Sequence, residues 1–167
     1  HLKKLKALPQ NDEVINSIIR TAIPYLDQRL KETYDQLLKA NKQKEPVKGG
    51  IGYYEIQYLY MRSFFTERDI PASVQKAYAY YRKQAQLHWL AQSKYMQGMI
   101  ALAMHRTNST TIAKNIMASL KQNALFSEEM GMYWAQPTGY FWYQATIETQ
   151  SLLIEAFILV SVVSKPV

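Results

Sequence analysis

The chain has 167 residues, a formal net charge of +7, 48% apolar residues and no cysteine. This length suits a single domain, and the apolar fraction is sufficient for a packed core. The absence of cysteine excludes disulfides, thiolate nucleophiles and cysteine-ligated zinc. No apolar stretch reaches the roughly 20 residues of a membrane span, and the best candidate, 152–163, contains Glu155 and Ser161. We therefore expect one domain, 1–167, without a membrane span.

The positive charge is spread along the sequence. Residues 1–50 carry ten basic and six acidic side chains, residues 51–125 carry nine and three, and residues 126–167 carry one and four. No arginine cluster or aromatic–basic motif of the RNA-binding kind is present, so we predict no nucleic-acid partner. A helical module for another anionic partner remains an alternative, and it requires the basic excess to gather on one face.

Apolar residues at helical spacing predict about six helices joined by short turns. Within the first periodic region Pro24 predicts a kink or a restart. Beyond it, Asp27 and Lys31 are spaced as an i,i+4 pair on the polar side. The stripes expected to face the core contain Leu26, Leu30, Tyr34 and Leu37, then Tyr53, Ile56, Tyr60 and Phe64, then Val74, Tyr78, Tyr81 and Ala85, and finally Ile112, Ile116 and Leu120.

Two of the later helices have further predicted features. Gly98 and its alanine neighbours are small enough to let another helix approach closely. The last helix, which Thr146 is placed to cap, is apolar nearly all round in its later part and is expected to be buried. These patterns predict an all-α fold of antiparallel helical hairpins laid side by side.

Residues 131–150 (GMYWAQPTGYFWYQATIETQ) concentrate aromatic side chains next to a carboxylate. The QPTG sequence is a turn signal, and it predicts a short β-hairpin near 132–143. Aromatic residues at exposed positions can stack on sugars, although most are buried in cores. We therefore keep Trp134, Trp142, Tyr143 and Glu148 as candidate surface or ligand residues.

The catalytic alternatives are limited. Glycoside hydrolysis needs two carboxylates about 5–10 Å apart, and Glu128 or Glu129 with Glu148 brackets the aromatic stretch. An α/α-toroid carbohydrate-active enzyme is therefore the second hypothesis. His88 and His105 lack metal-ligand spacing, and no nucleophile elbow or phosphate loop occurs. From the residues alone we predict no enzyme, no metal and no organic cofactor.

Four phrases in combination resemble bacterial α2-macroglobulin-like proteins, particularly those of Bacteroidetes. The resemblance covers most of residues 25–157 and points to the thioester-domain region, an α/α toroid of helical hairpins. The phrases are YEIQYLYMRSFF, YYRKQAQLHWLAQSKYMQGMIALAMHR, SEEMGMYW and FWYQATIETQSLLIEAF.

The resemblance implies a structural or interaction domain of an exported protease inhibitor, periplasmic or anchored to the outer membrane. Its partners would be neighbouring macroglobulin domains and, through the parent protein, target proteases. The family's thioester joins a cysteine and a glutamine of a CxEQ motif, which no position here matches. Because the chain reads as a fragment of a toroid, we also expect an apolar edge that allows self-association.

Overall fold

A computed structural model describes residues 13–42, 44–45, 50–129, 131–135 and 146–162. Within these residues the chain forms six α-helices and a small antiparallel sheet, which confirms the predicted mostly helical class. The helices are α1 (Glu13–Ala40), α2 (Tyr53–Arg62), α3 (Gln75–His88), α4 (Lys94–Arg106), α5 (Thr110–Gln122) and α6 (Thr146–Val162), with a 3-10 turn at Trp89–Ala91.

Helix α1 passes through Pro24 without the restart that the sequence suggested. The proline removes one backbone hydrogen bond, but Ile23, Leu30 and Tyr34 are buried on both sides of it. Their packing stabilises the helix across this position, since tertiary contacts supply most helical stability. Residues 13–22 include no fully buried side chain. The first part of α1 therefore lies outside the core.

Helices α2 and α4 lie side by side and run parallel. At one end, Gln92 just before α4 donates to the carbonyl of Ile51 just before α2. At the other end, the guanidinium of Arg106 lies 4.0 Å from the ring centroid of Phe64, just after α2. The beginnings of the two helices are thus close together, and so are their ends.

Helices α4 and α6 also run parallel. A Cβ atom on Gly98 would lie 3.0 Å from Leu153 and 3.3 Å from Leu152, and further along α4 Arg106 donates to Glu155 of α6 at 2.7 Å. The contacts advance in the same direction on both helices. The close approach at Gly98 matches the prediction from the small residues of α4. We call α2, α4 and α6 the central layer.

The remaining helices cover the central layer. Helices α1 and α3 pack against α2 and against each other, and α5 packs against α4 and α6. The core of the described chain lies between these elements and includes fully buried Ile56, Ile100, Leu102, Ile116 and Leu153. Among the described helices, none has both the length and the apolar character needed to cross a membrane.

The two-stranded sheet lies upstream of most of the predicted hairpin. Strand β1 (Leu125–Ser127) pairs with β2 (Gly131–Tyr133), so that Phe126 faces Met132. Gly131 has a φ of +67°, which favours glycine at the end of this tight connection. The sequence correctly placed a strand at 131–133 but missed β1 as its partner. The predicted turn and second arm, 136–143, lie outside the described residues.

Helix α6 is not buried all round, and this corrects the sequence-based expectation. Leu153, Ala156 and Val160 are buried against the rest of the fold, whereas Ile154 and Ile158 are exposed. A helix at the edge of a layer packs against neighbours on one face only. Its other face is exposed even when the residues there are apolar. High hydrophobicity therefore predicted the element but not its degree of burial.

Candidate functional site

Trp134, one of the predicted ligand residues, is a core residue. Its side chain is buried, its Nε1 donates to the carbonyl of Leu120 at 2.7 Å, and its ring stacks on Phe157 with centroids 5.4 Å apart. These contacts satisfy both the polar and the apolar part of the indole. Trp134 therefore joins α5 to α6 and offers no surface for a ligand. Trp142 and Tyr143 lie outside the described residues.

The candidate carboxylates are exposed. Glu128 and Glu129 occupy the connection between β1 and β2, and Glu148 lies in the first turn of α6. The position of Glu148 suits a negative charge near a helix N-terminus. None of the three lies in an apolar pocket of the kind that holds the general acid of a glycosidase.

A groove lies between α1, α2 and α4. Its volume is about 820 Å³, within the range of roughly 300–1,000 Å³ that is typical of ligand sites. Leu26, Leu30, Met61 and Met99 supply its apolar lining, and Arg29 stands on the α1 wall. Five tyrosines line it: Tyr25, Tyr54, Tyr58, Tyr60 and Tyr95. We call this surface the tyrosine groove.

The five tyrosines differ in exposure. Tyr25 on α1 and Tyr54 on α2 are 64% and 81% exposed, so both project into solvent at the groove walls. Tyr58 is buried, and Tyr60 and Tyr95 are partly buried. The groove thus has a fixed tyrosine at its base and accessible aromatic rings at its rim.

A buried charged network holds the base of the groove. The Tyr58 hydroxyl donates to Asp27 Oδ1 at 2.5 Å, and Arg62 Nε donates to the same oxygen at 3.1 Å. Asp27 and Arg62 are only 2% and 4% exposed. The sequence predicted Asp27 as the surface partner of Lys31, and this was wrong, because Lys31 pairs with Asp35 instead. Burial between α1 and α2 gives Asp27 partners 31 and 35 positions away.

Arg62 also anchors the segment after α2. Its Nη1 donates to the carbonyls of Phe65 and Arg68, and its Nη2 donates to the carbonyl of Asp69. Together with the bond to Asp27, every nitrogen of the guanidinium has an acceptor. Such full satisfaction is what makes a buried arginine tolerable. Arg62 therefore fixes the groove base and the following loop as one unit.

Arg106 forms a second junction at the C-terminal end of the central layer. Its guanidinium lies 4.0 Å from the ring centroid of Phe64 and 5.3 Å from that of Tyr60. It also donates to Glu155 at 2.7 Å. Cation–π contact and a charge-assisted hydrogen bond thus tie α2, α4 and α6 together.

The three less exposed tyrosines of the groove, Tyr58, Tyr60 and Tyr95, have raised pKa values. Burial raises the pKa of Tyr58, and its hydrogen bond to Asp27 raises it further. Burial is also the main cause of the raised pKa of Tyr60 and of Tyr95, to which the charges of Glu155 and Glu148 respectively contribute. The groove therefore presents neutral hydroxyl groups that donate or accept hydrogen bonds, and no tyrosinate nucleophile.

The comparisons with known proteins give no relative, since no family model, curated protein or solved structure matches this chain. Within the described part of the chain, no group of three or more histidine, cysteine, aspartate or glutamate side chains is placed to hold a metal ion. The site must therefore be interpreted from its own chemistry.

The sequence reasoning missed the tyrosine groove because its walls come from three helices. A signal for its buried acid did exist. Asp27 follows Ile23 by four residues and precedes Leu30 by three, which places it on the buried face of α1 rather than on the polar one. An acidic residue at that phase predicts a buried partner, but the partner itself depends on how α1 packs against α2.

Proposed function

We propose that this chain is a non-catalytic interaction domain and that the tyrosine groove contacts another polypeptide. The lining carries this proposal: five tyrosines, two methionines and Arg29 occupy one open groove. Tyrosine, methionine and arginine are the residues enriched at the centres of protein interfaces. Accessible rings at Tyr25 and Tyr54 supply large contact areas with little side-chain entropy to lose.

The polar groups of the groove favour binding over catalysis. Asp27, the one buried carboxylate among the described residues, accepts hydrogen bonds from Tyr58 and Arg62, so it is committed to structure. Acid–base catalysis requires a group that can exchange a proton with a substrate near neutral pH. The raised pKa of Tyr58 works against such an exchange.

A narrower proposal concerns the parent protein. The resemblance to bacterial α2-macroglobulin-like proteins supports an exported inhibitor in which this chain is part of the α/α toroid. The quoted phrases supply all three helices of the central layer. Parallel packing of alternate helices is compatible with antiparallel hairpins laid side by side. In this role the domain would contact neighbouring macroglobulin domains or shield a thioester supplied from elsewhere in the parent.

The carbohydrate-active alternative lacks a supporting observation in the described residues. Its sugar platform was to consist of Trp134, Trp142 and Tyr143, of which Trp134 is in the core and the other two lie outside the described residues. The carboxylates it needed are exposed on a hairpin connection and a helix N-terminus. We therefore do not adopt it as a second proposed function.

Hydroxyl-radical footprinting tests the proposed function on the chain alone and within the longer polypeptide that the resemblance implies. We expect Tyr25 and Tyr54 to oxidise several-fold more slowly in the longer polypeptide than in the chain diluted until it is monomeric, because another polypeptide covers the groove. Phe126, exposed on β1 and remote from the groove lining, is the control and should oxidise equally in both samples. Equal oxidation of Tyr25 and Tyr54 in the longer polypeptide and in the diluted, monomeric chain would contradict the proposal.

A further inference from the structure

The first half of α1 carries an uncovered aliphatic stripe that continues into the groove wall. Val14, Ile18, Ala22 and Leu26 recur every four residues, which places them along one side of the helix. Val14 and Ile18 are 69% and 57% exposed, and Leu26 already lines the tyrosine groove. We call these four residues the α1 stripe. It extends the apolar surface by about 18 Å, so an elongated partner fits better than a compact ligand.

We propose that a second copy of this chain covers the α1 stripe and enters the tyrosine groove, with the two α1 helices antiparallel. This inference rests on the proposed function, because it names the polypeptide that the groove contacts. If a twofold axis passes at Ala22, Ile18 of one copy lies level with Leu26 of the other, and Val14 lies level with Leu30. Each copy then inserts its uncovered aliphatic side chains into the other's groove, an isologous arrangement.

The charge distribution permits this contact. Two copies with a net charge of +7 each repel one another, so contact is favoured on a face with few charges. Arg20 is the only charged residue between Val14 and Leu26, and it lies about 160° around the helix from Ala22. Glu13, Arg20 and Arg68 line a hollow together with Val14 and Ile18, and Arg29 on the groove wall is paired with Glu32 at 2.7 Å. The four residues of the α1 stripe carry no charge themselves, and small Ala22 allows a close crossing.

The surface area that two copies could bury is typical of a weak dimer. An aromatic side chain buries roughly 150–250 Å², so Tyr25 and Tyr54 together offer about 300 Å² at their observed exposures. Val14, Ile18 and Leu26 add roughly 200 Å². Two copies thus bury about 1,000 Å² in total, which is near the lower limit for a specific interface. We expect association at micromolar concentration rather than a permanent dimer.

Sedimentation equilibrium of the chain at about 5–200 µM tests the proposal. We expect a monomer–dimer equilibrium that Ile18→Glu weakens at least tenfold, because the interface would bury a charged carboxylate in place of an aliphatic side chain. Ile158→Glu on α6 is the matched control, since Ile158 is also 57% exposed, and it should leave the equilibrium unchanged. Circular dichroism checks that both variants fold. A monomeric wild-type chain, or a dimer that only Ile158→Glu weakens, would overturn the proposal.

Disulfide trapping locates the twofold axis. Because the chain has no native cysteine, only the introduced cysteine can form a disulfide. Ala22→Cys should form a covalent dimer on mild oxidation, because a disulfide needs Cα atoms about 4.4–6.8 Å apart. Arg20→Cys, on the opposite side of α1, should remain monomeric. Equal crosslinking of both variants would indicate random collision and overturn the antiparallel arrangement.

Footprinting separates failure of this inference from failure of the proposed function. A monomeric chain whose Tyr25 and Tyr54 become protected only in the full-length polypeptide would overturn the second copy as partner and leave the interaction domain standing. A monomeric chain whose Tyr25 and Tyr54 are already protected in isolation would place another segment of the same chain in the groove, and it would also overturn the second copy. Loss of dimer in Ile18→Glu together with increased oxidation of Tyr25 supports both proposals.

Discussion

At the scale of single residues, the buried Asp27–Arg62 pair connects the groove to the stability of the fold. Arg62 has acceptors on α1 and on the loop after α2, so its removal takes the counterion from buried Asp27 and leaves it Tyr58 as a donor. A buried charge without its counterion is far more costly than the loss of an exposed ion pair. The base of the groove is therefore where a single substitution should have the largest effect.

We predict that Arg62→Ala lowers the free energy of unfolding by about 3–5 kcal/mol. Urea denaturation followed by circular dichroism measures this change. Arg29→Ala is the control, because Arg29 makes a solvent-exposed ion pair with Glu32 and its loss should change stability by at most about 1 kcal/mol. Similar losses of unfolding free energy in the two variants would show that the buried ion pair stabilises the fold no more than the exposed one does.

For single residues, the sequence alone can predict burial but not the partner in a distant contact. Burial of Trp134 follows from the usual location of aromatic side chains, yet the same residue also fitted a sugar platform until its contact with Leu120 was known. The phase of Asp27 on α1 marks it as buried. Its partner Arg62 is 35 positions away, and local spacing has no information on a contact between two separate helices.

At the scale of elements, the contact between α4 and α6 depends on the absence of a side chain at Gly98. The nearest atoms of Leu152 and Leu153 already approach the position of a Cβ to 3.3 and 3.0 Å. Glycine within a helix costs up to about 1 kcal/mol in helix propensity relative to alanine. Close packing of the two helices offsets this cost.

Gly98→Leu should therefore destabilise the protein by about 1–3 kcal/mol, because a larger side chain forces α4 and α6 apart. Ala118→Leu on the exposed side of α5 introduces the same leucine side chain where space is available and should stay within about 0.5 kcal/mol. Thermal and urea unfolding of both variants provide the comparison. An unchanged Gly98→Leu protein would mean that the two helices are not in close contact.

Helical periodicity predicted the positions of the helices better than it predicted which of their residues are buried. The apolar spacing around Ile116 and Leu120 identified α5, and both residues are buried. The extent of burial on α6 could not be predicted, because Ile154 and Ile158 are as apolar as their buried neighbours and only the position of the helix in the layer separates them. The β1–β2 pairing was missed because a three-residue strand has too short a pattern to identify.

At the scale of the whole molecule, the charges of the helices are related to the order in which the helices pack. Helices α3 and α5 together carry five Lys or Arg residues and no acidic residue, whereas α6 carries Glu148 and Glu155 and no basic one. Arg106 of the middle helix bonds to Glu155, so the acidic helix packs beside a basic partner. The sequence showed the change of sign along the chain, but its consequence for packing depends on the order α2, α4, α6.

The parallel direction of the central layer gives a distance prediction for the whole molecule. Helices α2 and α6 flank α4, and packed helices lie about 8–10 Å apart, so their axes should be about 16–20 Å apart. Tyr54 and Ile147 are both exposed and each lies at the second position of its helix. Ile158 lies eleven residues further along α6, a rise of about 16 Å. In a parallel layer Tyr54 is therefore nearer to Ile147 than to Ile158.

Pulsed electron resonance on two double variants measures this difference. Spin labels at Tyr54→Cys with Ile147→Cys should give a mean distance about 6 Å shorter than labels at Tyr54→Cys with Ile158→Cys, by the helix rise and spacing above. The chain has no native cysteine to label, and dilution with unlabelled protein suppresses distances between copies. The reverse order of the two distances would require α6 to run antiparallel to α2. It would refute both the central layer and the compatibility with side-by-side hairpins that supports the narrower proposal.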